Sequence, residues 1–258
     1  MVLHKYSGSG NDFLISHSFK KDSRSELAKK LCDRHSGFGA DGFVVLLPHT
    51  KYAYEWEFYN SDGSGANMCG NASRCAAHYA YSQGLAPAKH TFLTQAGEVK
   101  VSVMGEVVLS DIGTYQIIKK MNLKEKEYGG DWYLIDTGVP HLVHFVDNAE
   151  KIPKNKTHFL KEMRLHYNAN VNIAYIQDKE NIFLSTYERG VEGITLACGT
   201  GMAAVFVIGN LYYNINPKAT LIPLSQDKLT LSFEGKNILY EGRVQRIGIC
   251  IPFQNKYE

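Results

Sequence analysis

Residues 1 to 17 form an apolar, extended start broken by a tight turn at SGSGND, and Ser25 to Arg34 (SELAKKLCDR) has helical spacing with a serine placed as its cap. GFGADG leads into the apolar run FVVLLP, and EWEFYN (Glu55 to Asn60) is an aromatic, β-prone run ending in the turn-rich SDGSGAN. Cys69-Gly70-Asn71 then opens an alanine-rich stretch that predicts a helix stopping near Gly84. Lys89 to Ile112 alternates as strands, whereas the charged, glycine-containing KKMNLKEKEYGGD (Lys119 to Asp131) reads as a surface connection. We therefore predict two halves, residues 1–115 and 116–258, with the final strand available to pack back on the first.

The second half repeats the order of the first. Strand patterns at DTGVPHLVHF, NVNIAYIQ and IFLSTYERG are followed by an apolar helix opening at Cys198-Gly199-Thr200. Cys69 and Cys198 lie 129 residues apart, half of the 258-residue chain, and Gly8 of SGSGN and Gly138 of TGVPH lie 130 apart. Each Cys-Gly pair is followed by a small polar residue and preceded by a tyrosine ending an extended run, Tyr59 or Tyr187. The pattern predicts a duplicated unit, with two similar halves facing each other across a cleft and one cysteine supplied by each.

Composition narrows the partners. Lys and Arg (28) nearly balance Asp and Glu (26), so no broad electropositive field is expected and nucleic acid is a poor candidate partner. The most apolar helical stretch, Met202 to Leu211, is far short of the roughly 20 residues that cross a bilayer, and the first residues lack a long apolar core. The expectation is a cytoplasmic protein that does not enter the membrane. Five cysteines, Cys32, Cys69, Cys75, Cys198 and Cys250, with no CxxC spacing, argue against a disulfide framework or a zinc knuckle. Cys32, Cys75 and Cys250 read as small buried hydrophobes.

Cys69 and Cys198 are different, because a helix N-terminus presents unpaired N–H groups and the positive end of the helix dipole. Both favour thiolate, and the same N–H groups suit a ligand carboxylate, with Gly70 and Gly199 allowing close approach. Two such groups flanking one carbon suggest removal of an α-proton by one sulfur and its return to the opposite face by the other, which inverts configuration. A single acid–base group supplies about 10²–10⁴-fold, so the rest must come from dipoles that stabilise charge moving onto the carboxylate.

The ordered set KYSGSGNDFLI, GFGADG, FYNSDGSGANMCGNASRC, TGVPHLV, NVNIAYI and YERGVEGITLACGTGMAA resembles that of the diaminopimelate epimerase family. The resemblance implies an α+β fold of two similar domains, each a mostly antiparallel barrel-like sheet around a central helix, with the active site in the cleft between them. It implies a cofactor-independent epimerase, with neither pyridoxal phosphate nor metal, that converts LL-2,6-diaminopimelate to the meso form for lysine and peptidoglycan precursors. A homodimer is the family-level expectation. Carried onto this chain, the catalytic pair is Cys69 and Cys198. Asn11, Asn60, Asn172, Glu188 and Arg189 match positions that hold the substrate's amino and carboxylate groups. Gly70, Asn71, Gly199 and Thr200 match the backbone cradle, and His141 the histidine beside the reacting centre.

The chain departs from the family in three places. GNPH reads Gly138-Val139-Pro140-His141, Gly42 stands where some members have glutamine, and YERGVEGITLACG carries one extra residue, with Ile194 before the threonine and Glu192 available in place of the usual glutamate. These changes leave open another amino-acid racemase on the same scaffold, for example one acting on histidine. A non-catalytic amino-acid-binding protein and a thiol redox protein linking Cys69 to Cys198 are the readings from other classes.

Overall fold

The computed structural model describes residues 1–125 and 127–253, so Lys126 of the predicted surface connection and the last five residues of the predicted second half lie outside the described residues. The chain forms two compact units, Met1–Asp111 with the chain from Gly242 on, and Ile112–Glu241.

The first unit contains β1 (Leu3–Gly8), β2 (Asn11–His17), α1 (Ser25–Cys32), β3 (Gly42–Leu47), β4 (Glu55–Asn60), α2 (Gly70–Ser82), β5 (Lys89–Thr94), β6 (Gly97–Met104) and β7 (Val107–Asp111). Neighbours pair antiparallel, except that β3 lies parallel to β2 and β5 parallel to β4. Each parallel step needs a crossover, and α1 and α2 supply the two. The run FVVLL is buried throughout β3 because one face packs on α2 and the other on α1 through Ala28, Leu31 and Cys32. Helix α2 is the centre of this unit, buried from Gly70 to Ala80 against Tyr6, Phe13, Trp56, Phe58 and Phe92.

The second unit contains β8 (Gln116–Leu123), β9 (Gly130–Asp136), β10 (Pro140–Val146), α3 (His158–Tyr167), β11 (Asn170–Ile176), β12 (Asn181–Glu188), β13 (Gly193–Thr195), α4 (Gly199–Tyr213), β14 (Lys218–Ile222), β15 (Leu229–Glu234) and β16 (Asn237–Arg243). Its parallel steps are β10 to β11 and β12 to β14, again crossed by helices, α3 and α4. Helix α4 is apolar all round, as befits a helix buried from Gly201 to Gly209 inside a sheet.

Strand β17 (Gln245–Cys250) returns to the first unit and pairs antiparallel with β1, from Leu3 opposite Cys250 to Ser7 opposite Gln245. It fills the place beside β1 that β8 fills beside β9, so both units share one order of pairings. Five of the seven pairings in the first unit are antiparallel, giving the α+β class.

Three local expectations need correction. The charged stretch Lys119 to Asp131 is not a plain connection: its ends belong to the hairpin of β8 and β9, whose outer strand is largely exposed and so carries little apolar signal. The N-cap position of α1 is Arg24, with no side-chain capping bond, rather than Ser25, whose hydroxyl donates to the Gly63 carbonyl at 2.8 Å. Helix α3 went unpredicted because it buries only Leu160 and Met163.

Candidate active site

Cys69 and Cys198 occupy the same local position in their units. Each is the N-cap of its central helix in extended conformation, with φ −152° and ψ 121° for Cys69 and φ −125° and ψ 112° for Cys198. Serine, threonine, asparagine or aspartate at an N-cap accepts a bond from the first-turn N–H groups. Neither cysteine does so, and neither helix carries an acidic residue in its first turn. Each helix therefore meets its surroundings with a thiol, N–H donors and a positive dipole end that no first-turn carboxylate offsets. The cap carbonyls do start the helices, accepting from Ser73 and from Met202, both at 2.9 Å.

In the first unit the side chain two residues after the cysteine reaches the start of β2. Asn71 donates from Nδ2 to Asn11 Oδ1 at 2.7 Å, and Asn11 donates from Nδ2 to Asp41 Oδ2 at 3.0 Å. Asn60 stands apart. It ends β4 exposed, opposite Gly42, and its Nδ2 donates to Ser64 Oγ at 3.0 Å within the SDGS turn.

In the second unit the matching positions are Thr200 and His141, whose Oγ1 and Nε2 lie 2.9 Å apart. The direction of this contact follows from its neighbours. Thr186 Oγ1 donates to Asn172 Oδ1 at 2.8 Å, which leaves Asn172 Nδ2 to donate to the Leu142 carbonyl at 2.8 Å and to His141 Nδ1 at 3.1 Å. An imidazole that accepts at Nδ1 carries its proton at Nε2. His141 thus donates to Thr200 Oγ1, and the Thr200 hydroxyl proton is directed to Cys198 Sγ, 3.5 Å away. Both amide hydrogens of Asn172 are engaged in this chain, which holds the His141 ring in place. Gly201 is required beneath it, since a Cβ there would lie 2.5 Å from Asn172 Oδ1 and 3.0 Å from Thr186 Oγ1.

His141 is fully buried, and its pKa is pushed down to about 3 by burial and by the nearby Arg189 charge, against the opposing effect of the Asn172 bond. The ring is neutral at ordinary pH. Glu188 and Arg189 end β12. Burial raises the Glu188 carboxyl above its ordinary range. The Arg189 N–H donates to Asn170 Oδ1 at 2.8 Å, and its Nη1 to the Asn168 carbonyl at 2.9 Å. Among the described residues no ion pair joins Glu188 to Arg189. Glu192 lies in the turn before β13 at φ 56° and pairs with Arg164 at 2.6 Å.

Cys32 and Cys75 are buried, and burial lifts both thiols to about 12, which fits packing residues. Sequence reading missed Asn170, Thr186, Asp41 and Arg74 as partners of the site residues. Asn170 carried a signal, lying two residues from Asn172 and so on the same strand face. Thr186 carried none, because its place opposite Asn172 depends on the register of β11 and β12.

Two measurements check this geometry. Thr200→Val should slow iodoacetamide alkylation of Cys198 about tenfold near pH 7.5, the loss of one hydrogen bond to a charged sulfur worth ~1.5 kcal/mol, with Thr200→Ser restoring it. An unchanged rate would mean that the hydroxyl does not serve the sulfur. Because the unfolded chain protonates His141 near 6.5 and the folded chain only at about 3, the histidine's contribution to stability is lost as pH falls below 6.5. His141→Gln should therefore lose about 2 kcal/mol less than the parent between about pH 7 and pH 5 in urea unfolding, at about 1.4 kcal/mol per unit.

The family profile described as diaminopimelate epimerase matches residues 3–118 and 133–247. The chain is 52% identical over 264 residues to the diaminopimelate epimerase of Helicobacter pylori (strain P12), covering 97% of this chain and 96% of that protein. It is 53% identical over 247 residues to that of a Nitratiruptor species, covering 96% of each. The crystal structure of a PhzF-family phenazine biosynthesis protein from Enterococcus faecalis shares the fold, with a TM-score of 0.76 at 14% identity over 97% of this chain and 99% of that one. With more than half its length matched by the profile and half its residues shared with such relatives, this chain belongs to the diaminopimelate epimerase family.

Proposed function

We propose that the chain converts LL-2,6-diaminopimelate to the meso isomer without a cofactor, using Cys69 and Cys198 as the two proton-transferring groups. The observation that carries this reading is the repeated N-cap cysteine: two sheet-wrapped helices, each opening with a thiol whose side chain leaves the first-turn N–H donors uncapped. One thiolate takes the α-proton, and the C–H electron pair moves into the adjoining carboxylate. The other thiol then returns a proton to the opposite face, so the two sulfurs exchange protonation states and the substrate is inverted. Backbone N–H groups at Gly70, Asn71, Gly199 and Thr200 would hold the carboxylate as charge builds on it. The distal carboxylate suits the guanidinium fork of Arg189. Asn11, Asn60 and Glu188 complete the substrate-binding set, with Asn172 holding His141 in place.

Substitutions at Val139 and Gly42 keep a second substrate, histidine, in the test. Reduced protein in heavy water with LL-diaminopimelate should incorporate deuterium at the α-carbon and yield meso product. Cys69→Ala and Cys198→Ala should each lower turnover by about 10²–10⁴-fold. Exchange with histidine alone would move the assignment to another racemase, and no exchange with any amino acid would leave a binding protein.

We also propose that the enzyme acts in the cytoplasm as a homodimer. All five cysteines are thiols rather than disulfides, the state a reducing compartment maintains, and among the described residues no helix is long and apolar enough to cross a membrane. Strand β17 carries exposed Ile247 and Ile249, at 53 and 64% exposure, and exposed Ile251 follows directly after it. Such an edge invites self-complementary pairing with a second copy. Light scattering should give twice the chain mass, and Ile249→Lys should return the monomer.

A further inference from the structure

Two conspicuous motif residues have no part in the proton transfer: the aspartate of GFGADG and the arginine of GNASRC. Both end on the amides of the first unit. Asp41 precedes β3, and its carboxylate accepts from Asn11 Nδ2 at 3.0 Å, from the Asp12 N–H at 3.2 Å and from Arg34 at 2.8 Å. Arg74 is fully buried on α2, and its Nη2 donates to Asn71 Oδ1 and to Ser9 Oγ, both at 2.8 Å. Between them Asn71 Nδ2 donates to Asn11 Oδ1 at 2.7 Å.

The chain has one direction. A guanidinium can only donate, so Asn71 must turn its oxygen to Arg74 and its nitrogen to Asn11. A carboxylate can only accept, so Asn11 must turn its nitrogen to Asp41 and its oxygen to Asn71. Flipping either amide would set acceptor against acceptor at one end and donor against donor at the other. Asn11 is half-buried at the start of β2, and its nitrogen carries one hydrogen beyond the one given to Asp41. It therefore meets a ligand with an N–H donor and not with a carbonyl.

We propose that Asp41 and Arg74 are positioning residues that lock Asn11 as a donor, so that Asn11 selects a substrate carboxylate and rejects an ammonium group. The inference rests on the epimerase reading, and it adds which pole of the amino acid this side of the site reads. The second unit does this differently. There the corresponding chain runs through a neutral imidazole to a sulfur, with Ala203 where the first unit has Arg74.

The test is Asp41→Asn, which keeps shape but replaces the acceptor-only end of the chain with a group that can also donate, so that the Asn11 amide is held from the Asn71 side alone. KM for LL-diaminopimelate should rise about 10- to 100-fold with kcat within a few-fold, the signature of binding lost equally in ground and transition states. The preference for a carboxylate inhibitor over its carboxamide should fall about tenfold or more. Arg34→Gln, which removes an ion pair to Asp41 but leaves the amide chain, should lower the melting temperature and leave KM within about threefold. An unchanged KM in folded Asp41→Asn, or an equal KM rise in Arg34→Gln, overturns the proposal. On the parent protein, an assigned ¹H–¹⁵N spectrum should show the Asn11 side-chain NH₂ moving when a carboxylate analogue binds, and no movement also overturns it. Failure of the parent to exchange α-hydrogen counts against the epimerase reading, whereas exchange with an indifferent Asp41→Asn counts against this inference alone.

Discussion

Everything in the site depends on how a buried helix begins. A helix wrapped on all sides by a sheet has no water at its flanks, and its first-turn N–H groups must find partners at its end. Here the cap side chain is a thiol that does not provide them, at Cys69 and again at Cys198. The fold thus places backbone donors that no cap side chain serves beside each of these two sulfurs. Wrapping α2 and α4 is what the strands accomplish: Trp56, Phe58 and Phe92 pack one helix, and Tyr133, Leu184 and Leu231 the other.

Much of this could be read along the chain. The cysteines, the helices they open and the duplicated order were legible because they are local: spacing, small residues and apolar runs. The supporting chains were not, since they join residues far apart in sequence. Arg74 to Ser9 spans 65 positions and Asn71 to Asn11 spans 60, and only the parallel pairing of β2 with β3 brings Asp41 beside Asn11. Asn60 is the reverse case: its motif is legible in the sequence, whereas the bond from its side chain to Ser64 within the following turn is not. Hairpin β8–β9 was missed because its outer strand faces solvent, so charge concealed a strand.

The two units solve one problem by different chemistry. In the first, ionic ends fix two amides: a carboxylate that accepts and a guanidinium that donates. In the second, hydroxyl, amide and imidazole fix one another without a formal charge, and burial keeps His141 neutral. The two units thus differ in what lies behind their matching cysteines. The repeated Cys-Gly spacing located the cysteines, but this divergence emerges only from donors and acceptors traced atom by atom.

The pairing of β1 with β17 sets the order in which the molecule can be completed. The second unit, Ile112–Glu241, is a continuous segment and can form as soon as it has been synthesised. The first unit lacks a strand until residues 245–250 emerge, so during translation β1 waits beside an open edge while the later half folds ahead of it. The half encoded first is finished last, and a chain truncated before Gln245 would keep a whole second unit and an unsealed first one.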